Sequence, residues 1–453
     1  MLARSYFRAY RWHGFQDHVT VEAVTAHGQW RSISGGAIPS ASVMQSEVVV
    51  DAVKETARQG RIVLWEESAR DGAQGKTLMS AEFRVRLARD QGAMFGADGA
   101  RHVVFAAGFP AVCAEEFEAI RRVAREAADS VSPAAVCRGT PQDVRQACAS
   151  VQDAPNGRVM IVVPASDIMA EVMVHQSAAE TLSGAAELVR IAKDCGVIVD
   201  ICYADGPRGD VRLMADMAGV LTREGCGIVV IADTTGELLP QQSSELFTGL
   251  LAEADDDVVF ASHLHNDLGL GLANTLAAAH AGVRVLTSSW LGVAERSGLV
   301  ATEQLLLLLA HRGTELLGEG ELWHTAPDLT WLPKLARRVS TETGLPLTVT
   351  TPIVGTGVGT ISTGTPFARP SVFQPYDPAE LLGIEPSVVL THLASGRVLR
   401  AVAERVGLTL DRVEVADVLN WVKTEAYRRN EAVIEDAELV RYVTALRASA
   451  VSA

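Results

Sequence analysis

Between residues 61 and 310, short apolar and β-branched runs alternate with longer stretches of helical periodicity eight times over, and few architectures accept that many units. The runs lie at 62–65, 102–106, 134–137, 158–163, 197–202, 227–232, 258–262 and 283–288. Helical patterns such as 115–128, 178–195, 212–224, 243–254 and 271–281 separate them, with glycines and aspartates at the joins. Eight strand-helix units in about 250 residues is the size of one closed parallel barrel. An open doubly wound sheet reads alike in its first units, but it rarely reaches eight. The expected fold is α/β, a (β/α)8 TIM barrel over 61–312 with an N-terminal arm or cap over 1–60. A linker or lid is expected over 313–385 and a helical subdomain over 386–453. In the arm, a turn-rich stretch at 34–40 precedes a helix expected over 46–58. The glycines and threonines of 354–364 read as a mobile loop able to serve as a lid.

In such barrels chemistry is done where the strands end. The first run ends in Arg70-Asp71-Gly72, the fifth in Tyr203 and Asp205, the sixth in Asp233-Thr234-Thr235-Gly236, and the eighth leads to Glu295-Arg296. At the seventh stands Ser262-His263-Leu264-His265-Asn266-Asp267. Side chains alternate faces along a strand, so His263 and His265 share one face and Leu264 takes the other. Two imidazoles on one face suggest a metal, and Asp71 is the carboxylate best placed to join them. Two histidines and an aspartate leave coordination positions open for substrate. A hydrogen-bonded structural pair is the competing reading of an HxH segment alone; joint placement with Asp71 at strand ends favours the metal.

The formal net charge of −15 argues against nucleic acid or an anionic membrane as the main partner. No apolar span is long enough to cross a bilayer, and no signal-peptide core precedes the barrel. The six cysteines show no CxxC spacing and several sit in apolar runs, so buried thiols and a cytoplasmic location are expected.

Several segments together resemble one superfamily. EESARDGAQ (66–74) resembles the DxTLRDGxQ signature of the DRE-TIM metallolyases, which include isopropylmalate, homocitrate and citramalate synthases and hydroxymethylglutaryl-CoA lyase. The GFP segment at 108–110, DTTGELLP (233–240), SHLHND (262–267) and LGVAERSG (291–298) follow in the superfamily's order. TPIVG (351–355) and SGR (395–397) resemble the synthases' linking region. The resemblance implies that Asp71, His263 and His265 hold a divalent metal (Mg²⁺, Mn²⁺, Zn²⁺ or Co²⁺), and that Arg70 stabilises the oxygen that turns negative during carbon–carbon bond formation. Tyr203, Asp205 and His392 are candidates for acid/base work, a helix cap being the competing role for Asp205. Asn266 and Asp267 are expected to orient the imidazoles. Gln74, Asp233, Thr235, Glu295 and Arg296 complete the expected rim, the last two as an ion pair fixing the eighth loop. The chain departs from the pattern at Ala106 and Ala204, where glutamates are usual, at Leu299, where lyases carry a liganding asparagine, and near Gly364 and Pro366, where the synthases' histidine has no match.

The activity this implies is condensation of acetyl-CoA with an acidic 2-oxo acid, followed by thioester hydrolysis. The departures resemble the branch of Re-type citrate synthase and the phosphonomethylmalate and phosphinomethylmalate synthases of phosphonate natural-product pathways. Oxaloacetate or a phosphonate or phosphinate analogue would then be the acceptor. Alternatives are homocitrate, isopropylmalate or citramalate synthesis with another 2-oxo acid, a carbon–carbon lyase, and a non-catalytic barrel. The lyases stop shortly after the barrel, which favours a synthase. Chain length argues against a leucine-responsive regulatory domain, and the resemblance implies a homodimer.

Overall fold

The computed structural model describes residues 51–452 and, ahead of them, three short strands. Those strands, β1 (Tyr10–His13), β2 (Thr20–Val24) and β3 (Trp30–Ile33), form an antiparallel meander in a unit of their own. The sequence reading missed them, because runs of four or five residues mixing aromatic, basic and acidic side chains carry little periodicity. The stretch 34–40 lies outside the described residues, as do residues 46–50 of the expected helix, which is observed as Ala52–Arg58.

The second unit is built on a closed eight-stranded parallel barrel. Its strands are β4 (Val63–Glu66), β5 (Val103–Gly108), β6 (Ser132–Arg138), β7 (Arg158–Pro164), β8 (Ile198–Ala204), β9 (Cys226–Asp233), β10 (Phe260–Leu264) and β11 (Val285–Ser288). β11 pairs with both β10 and β4, which closes the ring. Alternate residues face inward: Val63, Trp65, Val104, Ala106, Val136, Met160, Cys202, Val230 and Ala261 share one core inside the barrel. Their neighbours, such as Leu64, Phe105, Ile201 and Tyr203, pack outward against the surrounding helices. All eight strands are therefore buried on both faces, which is why they read as continuous apolar runs.

The N-terminal end of the barrel is sealed by charge. Arg158 enters the lumen fully buried and binds Asp200 through Nε and Nη2 at 2.8 and 2.9 Å, and Asp51 through Nη1 and Nη2 at 3.0 and 3.1 Å. Asp51 also caps the helix Ala52–Arg58, accepting from the Val53 and Lys54 amides. Burial raises the Asp200 carboxyl against the pull of Arg158.

Beyond the barrel, helices Thr302–Leu317 and Leu332–Thr343 pack on its flank, and a separate apolar core joins helices Gly396–Arg405, Arg412–Arg429 and Asp436–Ser452. The stretch expected as a mobile loop is pinned in part. β12 (Thr360–Ile361) pairs in parallel with β13 (Ser387–Val388), and Val354 is buried in the barrel's outer core. No helix among the described residues is long and apolar enough to cross a membrane.

The segment after the first flanking helix laces onto β4. The Ile62 amide donates to the Leu322 carbonyl at 2.8 Å. The buried His102 donates from Nδ1 to the Ile62 carbonyl (2.7 Å) and accepts the His324 amide at Nε2 (3.0 Å). Both ring nitrogens are satisfied only in the neutral form, and burial lowers this imidazole to about 4. An unfolded histidine titrates near ~6.5, so the unfolded chain takes up this proton first as the pH falls. The contribution of His102 is complete above that value and is lost between about 6.5 and 4, a change of about 3 kcal/mol. Urea midpoints measured at pH 7.5 and 4.5 should therefore drop further in the natural protein than in His102→Gln; equal drops would remove His102 from the acid sensitivity.

Candidate metal centre

Asp71 reaches the barrel mouth because the chain turns immediately after β4. The Arg70, Asp71 and Gly72 amides all donate to the Glu67 carbonyl, at 3.1, 2.8 and 3.2 Å, and a short helix, Asp71–Gln74, begins at the aspartate. Gly75 lets this turn lie against the eighth loop, where a Cβ would come within 3.0 Å of the Ala294 carbonyl carbon. From that loop the Glu295 amide donates to Asp71 Oδ1 at 3.3 Å. The other oxygen faces the histidines: Asp71 Oδ2 stands 3.3 Å from His263 Nε2, 3.7 Å from His265 Nε2 and 3.3 Å from Arg70 Nη1. His263 lies within β10 and His265 just past it, held by a bridge to Leu299. Their ring centroids are 5.2 Å apart.

All three side chains are buried, and their donor atoms lie within 4.8 Å of one another. Two ligand atoms bonded at about 2.1 Å to a common ion, at tetrahedral or octahedral angles, are roughly 3.0–3.4 Å apart, close to the spacings from Asp71 Oδ2. Burial would raise the Asp71 carboxyl, but the hydrogen bond from His263 and the charges of Arg70 and both histidines hold it well below the usual carboxylate range. Burial and the neighbouring His263 lower His265 to about 4, so its ring is neutral and free to donate a lone pair. The three residues fit a divalent cation in donor type and spacing, and Asp71 and His265 fit it in protonation. Both Nδ1 atoms are buried without a protein partner.

The other expected residues divide by what they touch. Arg70 stands at the centre, between Asp71 and Glu67. Tyr203 faces the helices, in the outer core with Ile201, so its phenol points away from the mouth. Strand alternation, which places Cys202 inside, settles this, and the sequence reading overlooked it. Asp205 sits in a left-handed conformation (φ 62°), bound by Arg208 Nε at 2.8 and 2.9 Å and by the Ser166 hydroxyl. That set of partners makes it a latch between the fourth and fifth loops. Asn266 accepts the Gly271 amide at 2.8 Å, and Asp267 pairs with Arg296 at 2.9 and 3.0 Å. Neither hydrogen-bonds to an imidazole, contrary to expectation; Asp267 reaches His265 only through its charge. Arg296 also donates to the Thr234 carbonyl (2.7 Å), so the ion pair that fixes the eighth loop runs mainly to Asp267, with Glu295 at 3.6 Å. Asp233 accepts the Gly236, Glu237 and Leu238 amides at 3.0, 3.3 and 3.0 Å and shapes the sixth loop, with the Thr235 hydroxyl at 3.4 Å. Gln74 is exposed on the short helix, and His392 packs edge-on against Tyr427 in the C-terminal helical part. Glu67 was not singled out from sequence. Its signal was the alternation Val63, Trp65, Glu67, which sends all three inward.

With this geometry in place, residues 61–339 match the HMGL-like family model. The chain belongs to the HMGL-like family. It is 30% identical over 307 residues to a 2-isopropylmalate synthase of Neisseria gonorrhoeae, an alignment covering 66% of this chain and 49% of that protein. It is 29% identical over 360 residues to methylthioalkylmalate synthase 1-1 of Eutrema japonicum, covering 75% and 70%. The chain spans about half the length of the Neisseria synthases it matches, 49% and 55%. A crystal structure of the HMG-CoA lyase of Brucella melitensis superposes with a TM-score of 0.51 at 19% identity, over 63% of this chain and 99% of that one, a likeness of fold. Asp71, His263 and His265 form a buried group whose donor atoms are spaced to hold a metal ion. Titration with Mn²⁺ should give binding to the natural protein that weakens more than about a hundredfold in Asp71→Asn and in His263→Gln, since even groups behind a ligand alter affinity 10–100-fold. Unchanged binding in both variants would dismiss the site.

Proposed function

We propose that this protein condenses acetyl-CoA with an acidic 2-oxo acid and hydrolyses the resulting thioester, releasing CoA and a 2-substituted malate or citrate-type product. The observation that carries this reading is the convergence of Asp71, His263 and His265 with Arg70 at the mouth of a barrel whose relatives are named as malate-type synthases. A divalent cation held there would polarise the keto group of the acceptor as a Lewis acid. Arg70, fixed between two carboxylates, presents a permanent positive charge to the oxygen that becomes negative as the new bond forms. Neither Asp205 nor Tyr203 is given a chemical role, because Asp205 holds the rim through Arg208 and Ser166 and Tyr203 packs in the core against the helices.

For the acceptor we favour oxaloacetate or a phosphonate or phosphinate analogue such as phosphonopyruvate, which would place the enzyme in phosphonate natural-product biosynthesis. The support is the set of departures at Ala106, Ala204, Leu299 and Pro366. The relatives' names favour a second reading, with 2-oxoisovalerate or another 2-oxo acid with an uncharged side chain as acceptor. We further propose that the enzyme works in the cytoplasm as a homodimer.

CoA release from acetyl-CoA is the decisive assay, run with oxaloacetate, phosphonopyruvate, 2-oxoglutarate, 2-oxoisovalerate and pyruvate. Release should be highest with the first two, stop with EDTA and return with Mn²⁺ or Mg²⁺. Silence with every acceptor would end the synthase reading, and activity with 2-oxoisovalerate alone would end only the choice of acceptor. Arg70→Ala should lower kcat about 10²–10³-fold with the best acceptor; a change confined to KM would move Arg70 from stabilising charge to binding substrate.

A further inference from the structure

Glu67 is a fully buried carboxylate that neither the three donors nor the rim latches use. Both of its oxygens lack a hydrogen-bond partner. The nearest cation is Arg70, with Nη1 3.6 Å from Glu67 Oε2, too far for a hydrogen bond. The Trp65 indole lies beside it on the same strand face as a weak donor, its N–H not aligned on either oxygen.

Pairing between strands shows what Glu67 faces. Thr287 of β11 is in register with Trp65 and Ser288 with Glu66, and the Glu67 amide continues the ladder to the Ser288 carbonyl at 2.9 Å. On the other side of β11, Ser262 of β10 is in register with Leu286. The inward positions at the mouth of these three strands are thus Trp65 and Glu67, Thr287 and Ser289, His263 and His265. Glu67 Oε1 and Oε2, Thr287 Oγ1, Ser289 Oγ and both histidine Nδ1 atoms are buried there without partners. Buried polar groups are ordinarily satisfied, and an unpaired buried charge is costly. Six such atoms on two successive levels of one mouth mark a place for polar guests, and a guest must suit a carboxylate.

We propose that Glu67 belongs to the cation site: set beside Asp71, His263 and His265, its charge raises the affinity of that site for a divalent cation without being one of the three donors. Its carboxylate stands outside the set whose atoms lie within 4.8 Å of one another, so it acts across space and on the water that completes a cation's shell. Arg70 balances one of the two carboxylates, leaving the layer with a net charge of −1, which a divalent cation turns positive and fit to receive an anionic acceptor. The inference rests on the reading that Asp71, His263 and His265 hold a cation.

The test compares the natural protein, Glu67→Gln and Glu67→Asp by Mn²⁺ titration and by melting in EDTA and in Mn²⁺. Glu67→Gln should weaken Mn²⁺ binding by at least about tenfold, and Glu67→Asp, which keeps the charge, should recover most of it. In EDTA the Gln variant should melt no lower than the natural protein, since Arg70 keeps Asp71 as its partner and an amide is cheaper to bury than a carboxylate without hydrogen bonds, yet gain less from added Mn²⁺. Mn²⁺ affinity within about twofold of the natural protein, with a lower melting temperature in EDTA, would overturn the proposal and make Glu67 a prop for Arg70. A natural protein that binds no Mn²⁺ at all, like Asp71→Asn, would instead sink the cation reading and this inference with it.

Discussion

Closure of the barrel through β11 is the constraint on which the site depends. Asp71 follows the first barrel strand and His263 belongs to the seventh, far apart in the chain, yet a single four-residue strand separates them in space. The ladders on both sides of β11 set the heights of its neighbours, and a slip of one residue in either would turn inward-facing groups outward. A shift of β10 would bury Leu264 in the mouth and send both imidazoles to the helices. The metal site is therefore a consequence of register as much as of residue type.

The two ends of the lumen treat buried charge in opposite ways. At the N-terminal end Arg158 is surrounded by Asp200 and Asp51, every guanidinium nitrogen is engaged, and the Ile228 amide adds a further bond to Asp200 at 2.9 Å. That end is complete without a guest. At the C-terminal end Glu67 and both imidazoles keep buried atoms that no protein group partners. Since folding gains nothing from leaving such groups unsatisfied, the difference separates a structural plug from a binding layer.

What the sequence made legible follows from the same physics. Strands buried on both faces read as apolar runs, so all eight barrel strands were visible in it, with no end displaced by more than two residues. The histidine pair was legible because period-two alternation needs only two residues to declare itself, and Asp71 because it follows a strand directly. Tyr203 shows the limit: a residue at a strand end looks functional in one dimension, and only the parity of the strand, with Cys202 inside and Ile201 outside, shows that its phenol points away. Asp205, Asn266 and Asp267 show another, since a carboxylate or amide committed to a latch and one free to act look alike until their partners are seen. The meander of β1–β3 was invisible because its short strands mix aromatic and charged residues and form no apolar run, unlike the equally short β4 and β11.

Those latches explain how so long a set of loops presents a fixed mouth. Arg84 binds Glu116 through both terminal nitrogens at 2.9 and 2.8 Å while also holding the Ala107 carbonyl, and Glu116 in turn accepts the Phe109 amide, so the second loop is tied to two helices. Arg138 holds Asp143 after the third strand, Arg208 holds Asp205 after the fifth, and Arg296 joins the sixth, seventh and eighth loops through Thr234 and Asp267. In each case the cation is spent on shape, with a carboxylate already within bonding distance. Arg70 differs, because its carboxylate neighbours stand at 3.3 and 3.6 Å and belong to the cation layer itself. A rim that has neutralised its own arginines leaves the charge of the mouth to be set by Glu67, Arg70, Asp71 and whatever cation they hold, which concentrates electrostatic control of an anionic substrate beside the three donors.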